Sequence, residues 1–279
     1  MRSLGIDVGV GKGLDLVLID ERRVPLRVLS RVRVADIGPT ITELRPDVVA
    51  IDSPPRWALS GRSRLTEREL ATFAIQSFNT PSKAHGEANR FFGWMKAGFE
   101  VFRAANEAGF PTYGGGNPKR TAMEVFPHAT AVVLAGSLPP KGTSKRRWRE
   151  GVLRSQGVRT DDLSSIDRID AALAALTGVM VLEGRHFAPG DPHEGVIVLP
   201  VNTLPARPFR PATRTPAAAA PLFNYCACGD SDCEELVRGE FAKGHDTKRK
   251  ARLWSRAREG RDAIDELEGR RWKLPPEMR

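Results

Sequence analysis

Five acids stand out by position: Asp7 between Ile6 and Val8, Asp52 after Val48-Val49-Ala50-Ile51, Glu124 within Met123-Glu124-Val125-Phe126, and Asp167 and Asp170 where a long apolar pattern begins. An acid inside an apolar strand is costly to bury without a metal or a partner, so Asp7 is the strongest candidate for chemistry. Asp52 ends a buried-type strand before Ser53-Pro54-Pro55, where it either serves a site or bonds the turn backbone. Glu124 is either part of the same site or half of a structural salt bridge. Asp170 lies beside the apolar stripe of its helix and can reach the sheet edge, whereas Asp167 is turned away. Asp167 either joins the site or belongs to a capping pattern, Ser164-x-x-Asp167. Several carboxylate oxygens converging on one point suit Mg²⁺ or Mn²⁺, and paired ions of this kind activate water and neutralise the leaving oxygen in phosphodiester hydrolysis. The expected catalytic set is Asp7, Asp52, Glu124, Asp167 and Asp170, with Asp7, Asp52 and Asp170 as metal ligands.

These acids need a scaffold that brings distant segments together. Residues 3–10 and 14–19 read as two strands of a hairpin, separated by Gly9, Gly11 and Gly13, and 26–34 alternates apolar with basic as an edge strand does. A short helix over 37–44 stops near Pro46, and 47–51 is a buried strand closed by the prolines after Asp52. Helical patterns cover 66–75 and 91–108 around a loop at 77–90. A short strand at 123–126, a helix over 166–180 with Ile166, Ile169, Leu173, Leu176 and Met180 on one stripe, and a strand at 195–199 complete the set. The order of three antiparallel strands, helix, buried strand, helices, short strand and helix is that of an RNase H-like mixed α/β sheet.

Several motifs in this order resemble the domain of unknown function 429 family. They are Gly5-Ile6-Asp7, Ala50-Ile51-Asp52-Ser53-Pro54, Gly61-Arg62 with Glu67-Arg68-Glu69-Leu70, Met123-Glu124-Val125-Phe126-Pro127-His128-Ala129 and Ile169-Asp170-Ala171-Ala172-Leu173-Ala174-Ala175-Leu176. The resemblance spans about residues 3–200 and implies an RNase H fold with predicted nuclease activity. The spacing Asp167-x-x-Asp170 is also similar to the paired acids on the last helix of Holliday-junction resolvases. Two further functional classes compete. Gly5-x-Asp7-x-Gly9 resembles the opening of sugar-kinase and actin-like ATP-binding domains, and a non-catalytic nucleic-acid adaptor would keep the fold and the charge without the metal chemistry.

The chain has 279 residues, 41% of them apolar and 28% charged, which argues for a folded protein and against a disordered or fibrous one. Its longest apolar run, 171–182, is far short of the roughly 20 residues that span a bilayer, and Asp7 interrupts the N-terminus before a secretory signal could build. A cytoplasmic protein with no membrane partner is expected. A formal charge of +9 favours a polyanion such as nucleic acid. Lys145 and Arg146 in the cluster 141–149, and Lys248 and Arg249 in the cluster 243–261, are candidates for phosphate contacts, or else form solvated helix faces. Arg62 is expected to hold a phosphate. Lys83 and His85 either hold phosphate and move protons or are plain surface residues.

Five prolines and an alanine run over 205–221 read as a semi-rigid linker between a domain over 1–204 and a small module over 222–279. In that module Cys226, Cys228, Cys233 and His245 could form a closed tetrahedral site for structural Zn²⁺. The alternative is a small apolar cysteine cluster beside a surface histidine.

Overall fold

The computed structural model describes residues 1–9 and 11–212, together with Asn224–Tyr225, Leu236–Val237 and Leu253. The chain divides into two compact units, Met1–Ala218 and Ala219–Arg279. In the second unit, strands β7 (Asn224–Tyr225) and β8 (Leu236–Val237) pair antiparallel. Cys226, Cys228, Cys233, His245, Lys248 and Arg249 lie outside the described residues, as does most of the expected linker.

The first unit is built on a six-stranded mixed sheet in the order β3-β2-β1-β4-β5-β6. The strands are β1 (Arg2–Asp7), β2 (Leu14–Asp20), β3 (Pro25–Val32), β4 (Val48–Asp52), β5 (Ala122–Val125) and β6 (Ile197–Val198). The first three form the antiparallel meander, with β3 at the sheet edge as its alternating basic pattern predicts. Strands β4, β5 and β6 then run parallel to β1. The helices are α1 (Ile37–Leu44), α2 (Leu65–Thr72), α3 (Lys83–Glu87), α4 (Gly93–Glu107), α5 (Pro127–Ala135), α6 (Lys145–Ser155) and α7 (Ile166–Leu182). Among the described residues no helix is long and apolar enough to cross a membrane.

Side chains alternate across a strand, so each strand serves two cores. Leu4 and Ile6 of β1 and Val49 and Ile51 of β4 pack with Ile37 and Ile41 of α1 and Val101 and Phe102 of α4. Ser3, Gly5 and Asp7 face the other way, toward α7. There a Cβ on Gly5 would stand 2.0 Å from the Ala171 carbonyl oxygen and 2.4 Å from the Ala175 nitrogen. Glycine at this position lets the helix lie directly on the strand. Gly178 repeats the device farther along, where a Cβ would meet Ser3 Oγ at 2.1 Å. Alanines at 171, 172, 174 and 175 keep that side of α7 thin.

Helix α7 departs from the expected single stripe, because every residue from Ile169 to Val181 is buried. The sheet covers one side, and α5 and α6 cover another with Ala131, Val132, Trp148, Val152 and Leu153. A helix clothed all round has no polar face to write in its sequence. Helices α5 and α6 are additional to the expected elements. Pro127 starts α5 at its first turn, where the missing N–H costs nothing, besides closing the strand before it. Helix α6 is so basic at its start that its apolar positions, Trp148, Val152 and Leu153, are easy to overlook. The loop expected at 77–90 contains the one-turn helix α3. The cap of α7 also shifts by one residue, since Ser165 accepts the Arg168 N–H at 3.1 Å and Ser164 instead accepts from the Arg168 side chain.

Candidate active site

Asp7 and Asp52 are the last residues of β1 and β4, adjacent parallel strands whose register sets them side by side. Both therefore face α7. Asp170, in the first turn and a half of that helix, closes the group from above. One carboxylate oxygen from each of the three lies within 4.8 Å of the others. At such a separation and an effective dielectric of about 20, two like charges repel by roughly 3 kcal/mol. The titration of the group follows. Burial, then the charges of Asp52, Asp170, Asp167 and Asp15, push the Asp7 carboxyl up to about 9. Burial and then Asp170 push Asp52 up to about 8, against the pull of Arg149 and Lys145. Burial raises Asp170 too, opposed by the same two cations.

Arg149 and Lys145 reach the site from α6. The Arg149 Nη1 bonds both carboxylate oxygens of Asp170, while its buried Nε finds no hydrogen-bond partner among the described residues. Burial, and then Arg149 and Lys145, hold His128 down at about 4, so its ring is neutral at ordinary pH. The ring packs beside Trp148 at the start of α5.

Glu124 does not join the three aspartates. Its register partner on β4 is Ile51, not Asp52, so it points to the opposite face of the sheet. There Arg64 takes it in a fork, Nη1 to Oε2 and Nη2 to Oε1, both at 2.6 Å. The same guanidinium gives its Nε to Glu67 Oε1 at 2.9 Å. Glu67 also accepts the backbone N–H groups of Arg64 at 3.0 Å and Thr80 at 2.8 Å. Burial works against the charge on Arg64, but Glu124 and then Glu67 outweigh it and hold the group above its ordinary value. Burial raises Glu124, with Arg64 opposing.

Both clusters border one cavity of about 430 Å³ at the carboxyl edge of the sheet. Asp52, Asp170, Arg64, Glu124, Lys145 and Arg149 contribute its polar wall, and Phe78, Phe91 and Trp94 an aromatic one. Asp167 stands outside the triad, half-buried, and adds only its charge to the environment of Asp7 and Asp170. Arg62, Lys83, His85 and Arg146 are exposed, and none of them borders the cavity. His85 instead pairs with Ser82 Oγ at 3.0 Å. Sequence reading missed Arg64, because Arg64-x-x-Glu67 looks like any exposed helical pair. It named the cluster 141–149 without separating Arg149 from its neighbours. The apolar spacing of Trp148, Val152 and Leu153 was the available sign that Arg149 turns inward.

The family described as "Protein of unknown function (DUF429)" matches residues 5–194, and the chain belongs to that family. No curated protein matches it in sequence. Among solved structures, it is similar to Thermus thermophilus RuvC, with 15% identity and a TM-score of 0.37 over 71% of this chain and 100% of that one. It is likewise similar to T. thermophilus RuvC in complex with a Holliday junction substrate, with 16% identity and a TM-score of 0.38 over 66% of this chain and 94% of that one.

Proposed function

We propose that this chain is an RNase H-like, divalent-metal-dependent nuclease that hydrolyses phosphodiester bonds of nucleic acid. The observation that carries the reading is the convergence of Asp7, Asp52 and Asp170 from two strands and a helix within 4.8 Å. The donor set fits Mg²⁺ or Mn²⁺, since all three groups are carboxylates, which hard cations favour. The mutual repulsion that raises their titration is what a dication relieves. Asp7, Asp52 and Asp170 would hold the ion, and once bound it supplies Lewis acidity at a phosphoryl oxygen and a lowered pKa for water.

The remaining roles belong to the chain's own groups. Lys145 lies on the cavity wall and draws the phosphate in. Arg149 steadies Asp170 through Nη1 and sets a positive charge at the cavity wall, where it favours a phosphate. Glu124, locked by Arg64, holds the end of β5 in place beside the site. Arg62, Lys83 and Arg146 lie outside the cavity, where they would meet flanking phosphates. The strand order, an antiparallel meander continued by parallel strands, supports the RNase H-like assignment. For the second unit we propose Zn²⁺ on Cys226, Cys228, Cys233 and His245, from their spacing alone.

A cleavage screen over DNA, RNA, hybrid and junction substrates with Mg²⁺ or Mn²⁺ tests the nuclease reading. Cleavage abolished by Asp7→Asn supports it, and cleavage that survives Asp7→Asn overturns it. The contact of Arg149 with Asp170 favours a second reading, the non-catalytic adaptor, because it supplies the triad with a cation from within the chain. Calorimetric Mg²⁺ titration separates the two. Binding that disappears in Asp7→Asn favours the nuclease, and nucleic-acid binding without any Mg²⁺ binding favours the adaptor.

A further inference from the structure

Aromatic side chains on the surface of a folded protein are mostly single and scattered. Here they are grouped, and the group lies against the acids. Phe78 is 66% and Phe91 55% exposed. Their rings are 5.8 Å apart, and Phe78 also meets Trp94 at 6.2 Å. All three line the same cavity as Asp52, Asp170, Lys145 and Arg149. Beside Phe78, Ser77 also lines the cavity. The cavity therefore offers flat apolar rings together with cations that suit a phosphate.

We propose that this aromatic wall binds an unpaired nucleobase of a polynucleotide, stacked on Phe78 and Phe91, so that the chain acts where a base is out of the duplex. This deepens the nuclease reading and rests on it for the identity of the polymer. A base has an apolar face that stacks on phenyl or indole rings, and Phe78, Phe91 and Trp94 present such rings to the cavity. A paired, stacked base hides both its faces, and a concave cavity admits it only once it is extruded. The occupant is part of a strand rather than a free nucleotide because positive charge continues past the cavity. Lys145 sits on the wall, while Arg146 and Arg147 follow it, exposed, on the same turn of α6.

The test is equilibrium binding of the full chain in EDTA, using a labelled short single strand, the duplex of the same sequence and a nucleoside monophosphate, with tryptophan fluorescence of the parent and of Trp94→Phe as a second signal. Phe78→Ala and Phe91→Ala should each weaken single-strand binding about tenfold and leave duplex binding within about twofold, and Phe78→Tyr should restore it. The single strand should change the emission of the parent more than that of Trp94→Phe, and the duplex should change neither. Because both phenylalanines are largely exposed, loss of fold is not expected, and circular dichroism verifies it. Equal loss for strand and duplex, or no loss for either, overturns the proposal. A monophosphate that binds as tightly as the strand overturns the commitment to a polymer. The two readings also fail separately. Cleavage of intact duplex at a rate unchanged by Phe78→Ala defeats the unpaired base and spares the nuclease. Strand-selective, aromatic-dependent binding with no cleavage of any substrate defeats the nuclease and spares the wall.

Discussion

Two groups of buried carboxylates stand at the same edge of the sheet, and they are treated in opposite ways. On one face Glu67 and Glu124 share a single guanidinium, and every close contact there is a charge-assisted hydrogen bond. On the other face Asp7, Asp52 and Asp170 crowd together, and among the described residues only Asp170 has a cation bonded to it. The first cluster is complete in itself and holds α2 to the end of β5. The second is short of positive charge, and that deficit is what makes it a site. Burial alone does not distinguish them, because all five acids are largely removed from water. The count of compensating partners does.

The comparison is broken most directly at Arg64. Arg64→Met removes the cation that grips Glu124 and leaves two buried glutamates facing each other, so it should cost about 3–5 kcal/mol, on the order of 10 °C in melting temperature. The loss should shrink in acid, where those carboxyls take up protons. Thermal melts at pH 7 and pH 4 check this, and a neutral result at pH 7 would place the two clusters in the same class.

Gly5→Ala attacks the geometry that makes the triad possible. The added methyl would land on the α7 backbone, so the helix must lift from β1 and carry Asp170 away from Asp7. About 1–3 kcal/mol of stability should go with it, as in other overpacked cores. Affinity for Mg²⁺ should fall as well, which calorimetry measures. A stability loss with unchanged metal binding would mean that the contact matters for packing alone.

Asp7→Asn should move stability in the opposite direction from Arg64→Met. An Asp in the unfolded chain titrates near 3.9, whereas in the native site Asp7 is pushed up to about 9. Between those values the native state holds a proton that the unfolded state has lost, so native stability declines as pH rises through the window. Replacing the acid with an amide removes that slope. The metal-free variant should match the parent near pH 4 and exceed it by a margin that grows steadily as pH rises toward 8. Denaturant titrations at the two pH values, in the presence of a chelator, decide it. A destabilised variant at pH 8 would show that Asp7 is partnered as well as Glu124 is.

Much of this contrast was visible in the sequence, and the part that was not has a geometric cause. Asp7, Asp52 and Asp170 could be picked out because each interrupts or ends an apolar run, and apolar runs mark strands and core helices. Glu124 stood out on the same grounds but with a salt bridge as its alternative, and its pairing with Arg64 is such a bridge. It differs by one step of register, and a single step moves a side chain to the other face of a sheet without altering local composition. Arg64 was unreadable because a buried arginine and a surface arginine are written alike. Helix α7 was found by its periodic residues, but its burial on every side came from α5 and α6, whose own signals were masked by a proline and a run of basic residues.

The smallest expected effects sharpen the contrast at its edge, where Asp167 is near the site without belonging to it. Ser165 caps α7 by accepting the Arg168 N–H, so Ser165→Ala should cost about 1 kcal/mol. Asp167 makes no such bond among the described residues. Its two contributions are a carboxylate in the first turn of a helix, favourable to the dipole, and a like charge near Asp7 and Asp170, unfavourable to the triad. These oppose each other, so Asp167→Asn should change stability by less than about 0.5 kcal/mol. Removing its charge should nevertheless lower the pKa of Asp7, because one of the groups that raise it is gone. Denaturant unfolding tests the first statement, and carboxyl titration followed by NMR in the metal-free protein tests the second. A lowered Asp7 pKa with unchanged stability keeps Asp167 as a spectator charge, whereas loss of Mg²⁺ binding in Asp167→Asn would make it a fourth ligand.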